Sequence, residues 1–256
     1  EQNKNYKEGR KPIRVNRPSN LSMEEQQANM AWQQIRLVEY LNELPVIQFR
    51  FDEIEADDII AYLTQTQQFE GWEKVIVSND KDFIQLCDDE TVLYRPTQKV
   101  VHNKMNVVET FDIHPRNFAV ARAIAGDPSD NLEGVPRAGL KSIAKNLNFL
   151  REDKDVTLKD IFSFCENVDS KAKFFSNVLE YQDIVISNYK LMQLYAPAIS
   201  LQSKEKVNYA LDNFEYDYNK TEILRMMNQD GFGVFNWEDL HGTMNKICID
   251  KALRKE

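Results

Sequence analysis

The sequence predicts an α/β layer built on a parallel sheet, followed from about residue 105 by a helical half. Three observations carry this reading. Short apolar runs alternate with helical patterns up to that point. The run Lys74-Val75-Ile76-Val77-Ser78 has the β-branched make-up of a buried strand and follows a break at Gly71. Beyond Asn106 strand signals cease and helical spacing takes over.

The elements follow in order. Residues 1–22 are polar and basic, with six Lys or Arg against two acidic residues in the first 17. Met23 to Leu44 reads as a helix, because Met30, Ile35, Leu37, Val38, Leu41 and Leu44 recur at helical steps. Ser22 with Glu25 forms a capping-box pattern, and Pro45 stops the helix. Val46 to Phe49 reads as a short strand, and Ile54 to about Gln68 as a second helix. Lys74–Ser78 is the strand with the most buried look, and a short helix follows Asp80. Thr91–Tyr94 and Lys99–His102 form a hairpin around Arg95-Pro96-Thr97-Gln98. Two helices follow, His114–Ala125 and Gly139–Leu150, joined by a turn-rich link. Residues 157–195 are mostly helical, and a further helix lies near Thr221–Asn228. The spacing of Phe162, Phe164, Phe174, Phe175 and Tyr181 marks core rather than a base-stacking surface.

Composition bounds the rest. With 256 residues, 42% hydrophobic and 29% charged, the chain can build a core. No run of about 18 apolar residues is present, so no membrane partner is expected. Three widely spaced cysteines suit neither a disulfide framework nor zinc, and point to a reducing, cytoplasmic compartment. Cys87 and Cys165, among apolar neighbours, read as buried small hydrophobes. The net charge of −9 argues against nucleic acid only if the cations are evenly spread, and the basic opening segment shows that they are not.

Two acidic motifs carry the chemistry. Glu55-Ala56-Asp57-Asp58 opens a helix after a strand. Alone it is explained by the preference of carboxylates for helix N-termini. Ser78-Asn79-Asp80-Lys81-Asp82 ends a strand and equally reads as a helix cap. Together they would set several carboxylates at adjacent strand ends, where only a cation relieves the repulsion. Oxygen ligands without His or Cys favour Mg²⁺ or Mn²⁺. A haloacid-dehalogenase-type phosphatase and a toprim-type site both remain compatible with these two motifs.

The third motif is Gly126-Asp127-Pro128-Ser129-Asp130-Asn131, running into Gly134-Val135-Pro136-Arg137-Ala138-Gly139-Leu140-Lys141. Its glycine and lysine spacing fails the P-loop pattern by one residue. With the other two motifs in this order, the sequence resembles the 5′-nuclease (flap endonuclease, 5′→3′ exonuclease) superfamily over residues 1–150. The likeness is nearest to tailed-phage 5′-nucleases, the phage enzyme called RNase H among them. The resemblance implies a PIN-like parallel sheet flanked by helices and a helix–three-turn–helix motif. The implied segments are a basic arch over 1–22, a nuclease core over 23–105, the helix–three-turn–helix over 106–150 and a helical region over 151–256.

The same resemblance implies the roles of single residues. Two divalent ions would lie about 3.5–4 Å apart. Glu55, Asp57, Asp80 and Asp82 would surround the first. Asp127 and Asp130 would serve the second, with Asp58 acting through water. Gly134, Val135, Arg137, Gly139, Lys141 and Lys145 would grip a duplex backbone, with K⁺ shared at the turn. Tyr6-Lys7-Glu8-Gly9-Arg10 resembles the start of the family's arch, so Lys7 and Arg10 would stand beside the scissile phosphate.

The expected activity is removal of 5′ flaps or RNA primers during replication, on DNA or RNA–DNA hybrids, leaving 5′-phosphates. Single-strand-binding and other replication proteins are the expected partners, in the host cytoplasm if phage-encoded. The family pattern also places two apolar strands, each ending in a metal-binding carboxylate, ahead of Tyr6. They are expected to come covalently or from a bound second chain. A sheet without them would expose a hydrophobic edge, and this chain alone would bind metal weakly and cut poorly. The competing reading is a non-catalytic nucleic-acid-binding fragment.

Overall fold

The computed structural model describes residues 22–232 and 236–254, with side chains as far as Ile249. Lys7, Arg10 and the rest of the basic opening segment lie outside the described residues. Helix α1 spans Met23–Asn42. The Ser22 hydroxyl accepts the Glu25 N–H, and the Glu25 carboxylate accepts the Ser22 N–H at 2.7 Å. This reciprocal cap contributes about 1 kcal/mol.

Helix α2 covers Ala56–Gln65 and is followed by a 3₁₀ turn, Gln67–Phe69. Strand β1 is Lys74–Val77, and a 3₁₀ turn over Asp82–Leu86 leads to β2, Thr91–Arg95, and β3, Val100–His102. Helices α3 (Lys104–Phe111), α4 (Phe118–Ala125) and α5 (Leu140–Asn146) follow. Then come α6 (Leu158–Asn167), α7 (Lys173–Glu180) and α8 (Gln182–Met192). The chain ends in α9 (Leu201–Asp212), α10 (Lys220–Gln229) and α11 (Trp237–Arg254). No helix among the described residues is long and apolar enough to cross a membrane.

The described residues fall into two compact units, 53–199 and 22–52 with 200–254. In the first, the sheet order is β1-β2-β3. Strands β1 and β2 are parallel, with Ile76 opposite Leu93, while β2 and β3 are antiparallel, with Leu93 opposite His102. The sheet is therefore mixed rather than wholly parallel, because a short hairpin closes it after β2. Helix α4 is its central packing element. Phe118, Ala119, Val120, Ala121, Ala123 and Ile124 are all buried, so α4 is apolar nearly all round. Around it the core gathers Ile76, Ile84, Leu93, Ile143, Leu147, Ile161 and Val185. Phe175 is buried there and Phe162, Phe174 and Tyr181 pack against it, as their spacing predicts, while Phe164 sits at the rim.

The sheet departs from expectation in one further respect. Strand β1 is not buried on both faces: Ile76 is 6% exposed, but Val75 and Val77 are 56% and 66% exposed. The Lys74 and Ser78 N–H groups donate towards β2, to Glu90 and Tyr94. By the alternation of a parallel ladder, the N–H and C=O groups of Val75 and Val77 point away from β2, to the outer edge. Among the described residues, no strand pairs along that edge.

In the second unit, α1 and α10 are joined by polar groups. Arg36 Nε donates to Asp230 Oδ2 at 2.7 Å, and the Tyr40 hydroxyl donates to the same oxygen at 2.6 Å. A small apolar cluster of Ile223, Met226 and Met227 packs with Tyr40, Leu44, Tyr218 and Trp237. The helix expected from Met23 forms, but most of its apolar stripe stays outside a core: Met30, Ile35, Leu37 and Val38 are exposed, while Leu44, just past its end, packs on the small cluster. The strand expected over Val46–Phe49 does not form either. That segment has no ladder partner among the described residues, and it is tied back to α1 through Gln48, whose amide donates to Asn42 Oδ1 at 2.8 Å.

Candidate active site

The site begins where β1 ends. Past Val77 the chain turns sharply, because the Asp80 N–H donates to Ser78 Oγ at 3.1 Å and the Asp82 N–H donates to Asp80 Oδ1 at 2.9 Å. Arg95 from β2 clamps this turn by donating to the Asn79 carbonyl at 2.7 Å, and the Thr97 N–H donates to Asn79 Oδ1. Two carboxylates two residues apart are thus fixed at a strand's C-terminal end, as the sequence predicts.

The Asp127–Asn131 loop reaches the same place from the end of α4. Gly126 ends α4 with φ of 71°, a left-handed conformation open to glycine. A β-carbon there would come within 2.5 Å of the Gly134 nitrogen, and one on Gly134 would collide with the Ala125 carbonyl. The two glycines therefore let backbone lie on backbone. The contact is closed by the Val135 N–H donating to the Ile124 carbonyl at 2.8 Å and by paired bonds between Asp127 and Leu132. Asn188 of α8 holds both sides, its amide donating to the Ala123 carbonyl at 3.0 Å and to the Glu133 carbonyl at 2.8 Å. Asp127 accepts from the N–H and hydroxyl of Ser129, and Asp130 is buried.

Between the two loops stands Arg122, the one charged residue of α4. Its Nε donates to Asp82 Oδ1 at 3.0 Å, one terminal nitrogen donates to Asp127 Oδ2 at 2.5 Å, and the other donates to the Gly126 carbonyl at 3.3 Å. The side chains of Arg122, Asp82 and Asp127 are only 12%, 18% and 17% exposed. Burial pushes the Asp82 carboxyl up to about 6; Arg122 opposes this, while Asp80 and Asp127 add to it. Asp127 meets the same guanidinium but sits below its usual range. Burial pushes it up, and the Ser129 donors together with Arg122 outweigh that. Two things separate them: Asp82 is the more deeply desolvated and also faces two other carboxylates, whereas Asp127 has the Ser129 donors as well.

The remaining predicted ligands are less closely gathered. Glu55 is the exposed N-cap of α2, and Asp57 and Asp58 are half-buried in its first turn. Asp58 accepts the Ala198 N–H at 3.1 Å. Among the described residues, no three His, Cys, Asp or Glu side chains are close enough to hold one metal ion. The structure thus brings Asp80, Asp82 and Asp127 to a common locus, but does not close the seven acids into a coordination shell.

The turn after Gly134 has two sides. Val135 is buried and its N–H is engaged, so it supports the turn from within. Arg137, Gly139, Lys141 and Lys145 are exposed, with Gly139 as the N-cap of α5. Arg137 is held at φ of 64°, an unusual conformation for a long side chain. A cavity of about 290 Å³ elsewhere in this unit, walled by Gln65, Gln85, Lys104, His114, Asp153 and Tyr195, holds none of these residues.

Sequence reasoning passed over Arg122. Its signal is a lone cation inside an otherwise apolar helix, four residues before Gly126. The apolar surroundings predict burial, and a buried guanidinium needs acidic partners.

Comparison with known proteins accords with this geometry. A family model described as "5′-3′ exonuclease, N-terminal resolvase-like domain" matches residues 1–112. A 5′-3′ exonuclease of Buchnera aphidicola (subspecies Schizaphis graminum) is 34% identical over 137 residues, 54% of this chain and 45% of that protein. DNA polymerase I of Mycobacterium tuberculosis is 43% identical over 96 residues, 36% of this chain and 10% of the polymerase. The chain therefore spans less than half the length of these relatives. Among solved structures, T5 5′-exonuclease with bound divalent metal ions (zinc) superposes with a TM-score of 0.59 at 19% identity, covering 76% of this chain and 73% of that one. A bacteriophage T5 flap endonuclease in a pseudo-enzyme-product complex with DNA and metal ions gives 0.56 at 19% identity, covering 80% and 70%.

Proposed function

We propose that the chain is a member of the 5′-nuclease superfamily and serves as a 5′→3′ exonuclease and 5′-flap endonuclease that hydrolyses phosphodiesters and leaves 5′-phosphate ends, a reading supported by the matched family model and the similar exonucleases. The observation that carries the proposal is the convergence of Asp80 and Asp82, at the end of β1, with Asp127, beside an exposed basic turn. On this reading Arg137, Lys141 and Lys145 hold the duplex backbone, and the α5 end of the turn faces a phosphate. The substrates are 5′ flaps on DNA and RNA primers on DNA, acted on during replication in the cytoplasm (of the host, if the gene is a phage's) alongside single-strand-binding protein. Lys7 and Arg10 act at the scissile phosphate in the same proposal.

A divalent cation, Mg²⁺ or Mn²⁺, is part of this reading, as is K⁺ at the turn. When bound, divalent ions would supply the activated water and stabilise the leaving oxygen. The donor chemistry suits such an ion, since every candidate ligand is a carboxylate. The spacing does not: no three of these groups close on one point among the described residues, and Arg122 lies between Asp82 and Asp127. The residues in place account for gripping the substrate and for concentrating negative charge, and for no step of bond cleavage. The test is incubation of the chain with a labelled 5′-flap duplex in Mg²⁺ and in EDTA. Mg²⁺-dependent release of a 5′-phosphorylated product is expected; binding without release would reject the proposal for this chain alone.

One observation favours a second reading, that the active nuclease has a further strand paired along β1. That observation is the open β1 edge, with Val75 and Val77 exposed beside the acidic turn. Under it, Val75→Lys with Val77→Lys lowers cleavage without removing any carboxylate. Full activity in that double variant would exclude it.

A further inference from the structure

The site is rich in carboxylates, yet among the described residues it closes on no ion. A guanidinium fills the gap. Arg122 is anchored at three points, on Asp82, Asp127 and the Gly126 carbonyl, and it springs from the most buried helix of its unit. Its planar fork joins two loops far apart in sequence, one after β1 and one after α4. The oxygens it occupies, Asp82 Oδ1 and Asp127 Oδ2, belong to the two carboxylates that the nuclease reading assigns to different ions. A largely buried cation between two partly buried carboxylates is retained at a desolvation cost, and removing it alone leaves like charges facing each other.

We propose that Arg122 is a tethered counter-cation of the acidic site: it fixes Asp82 and Asp127 together when no divalent ion is held, and it competes with a divalent ion for their oxygens. The inference deepens the nuclease reading of this site, and it acts on ion binding rather than on cleavage. In the absence of divalent ions, Arg122 supports the fold, because among the described residues it bridges the β1 turn and the Asp127 loop with charge. In their presence, the guanidinium must move off at least one carboxylate, so ion affinity is held below what the carboxylates would reach unaided. Arg122 is thus a positioning residue, and its signature is an opposite response of stability and ion affinity to one substitution.

The experiment uses the full chain and its Arg122→Gln and Arg122→Lys variants, with Mn²⁺ alone as the probe. Mn²⁺ binding is read by calorimetry or by electron paramagnetic resonance of free Mn²⁺, and thermal melting is followed in EDTA and in Mn²⁺. Arg122→Gln is expected to bind Mn²⁺ about tenfold more tightly, the size of the effect one opposite charge exerts on a neighbouring carboxylate. It is also expected to melt lower than the parent in EDTA, and to recover most of that loss in Mn²⁺. Arg122→Lys, a point charge that reaches one carboxylate at a time, should fall between. Unchanged or weaker Mn²⁺ binding in folded Arg122→Gln overturns the proposal, as does an unchanged melting point in EDTA. If the Gln variant fails to fold, the Lys variant decides: tighter Mn²⁺ binding supports the competition and unchanged binding refutes it. Because none of these readings is cleavage, an inactive parent chain would reject the nuclease reading for this chain alone and leave this result standing.

Discussion

A β-carbon placed on Gly134 would overlap the carbonyl oxygen of Ala125. This contact locks the Asp127 loop and the basic turn to the end of α4, and no flexible side chain can yield to relieve it. Gly134→Ala should therefore destabilise the protein by about 3 kcal/mol, at the upper end of overpacking costs. Gly139→Ala meets no atom within 4 Å and should cost under about 1 kcal/mol as a changed N-cap. Urea unfolding of both variants checks this, and equal losses would contradict it.

Arg137 is held in the left-handed region, where a side chain costs roughly 1–2 kcal/mol and glycine little. Arg137→Gly should accordingly raise stability by about 1 kcal/mol while weakening duplex DNA binding. The gain in one and loss in the other would mark a strained conformation retained for contact with a ligand. A stabilised variant with unchanged, salt-dependent DNA affinity would remove Arg137 from the proposed interface.

Burial pushes the Cys87 thiol up to about 12. At pH 8 very little thiolate is present, so iodoacetamide should leave Cys87 unmodified in the folded protein while half-exposed Cys248 reacts. The folded state retains this proton through a range where an unfolded thiol loses it. Cys87 thus contributes stability that is present below the usual thiol range and lost as the pH climbs through it towards about 12. Mass-spectrometric labelling from about pH 7 to 10 tests the point, and early modification of Cys87 in folded protein would refute it.

What could be read from the sequence was local. The β1 run with its trailing aspartates, the capping box at Ser22 and the hairpin after Thr91 each depend on a few neighbouring residues, and each forms as expected. The Gly126-Asp127 segment declared itself by composition, although the reason for its second glycine is a contact with Ala125 that only the fold reveals. Val46–Phe49 has a strand's composition, but a strand exists only with a partner, and pairing is not written in four residues. Helix α9 was missed because Val207 is its one buried residue, leaving almost no apolar period. Arg122 escaped notice because its partners lie 40 and 5 residues away and meet only in space.

The carboxylates at the end of β1 are, on this reading, part of a nuclease site. The most direct measurement is Mg²⁺-dependent cleavage of a 5′-flap duplex by the parent chain and by an Asp80→Ala, Asp82→Ala double variant whose folding is checked by circular dichroism. The folded double variant is expected to bind the duplex and to lose cleavage by at least about a hundredfold. Cleavage at the parent's rate would contradict the assignment.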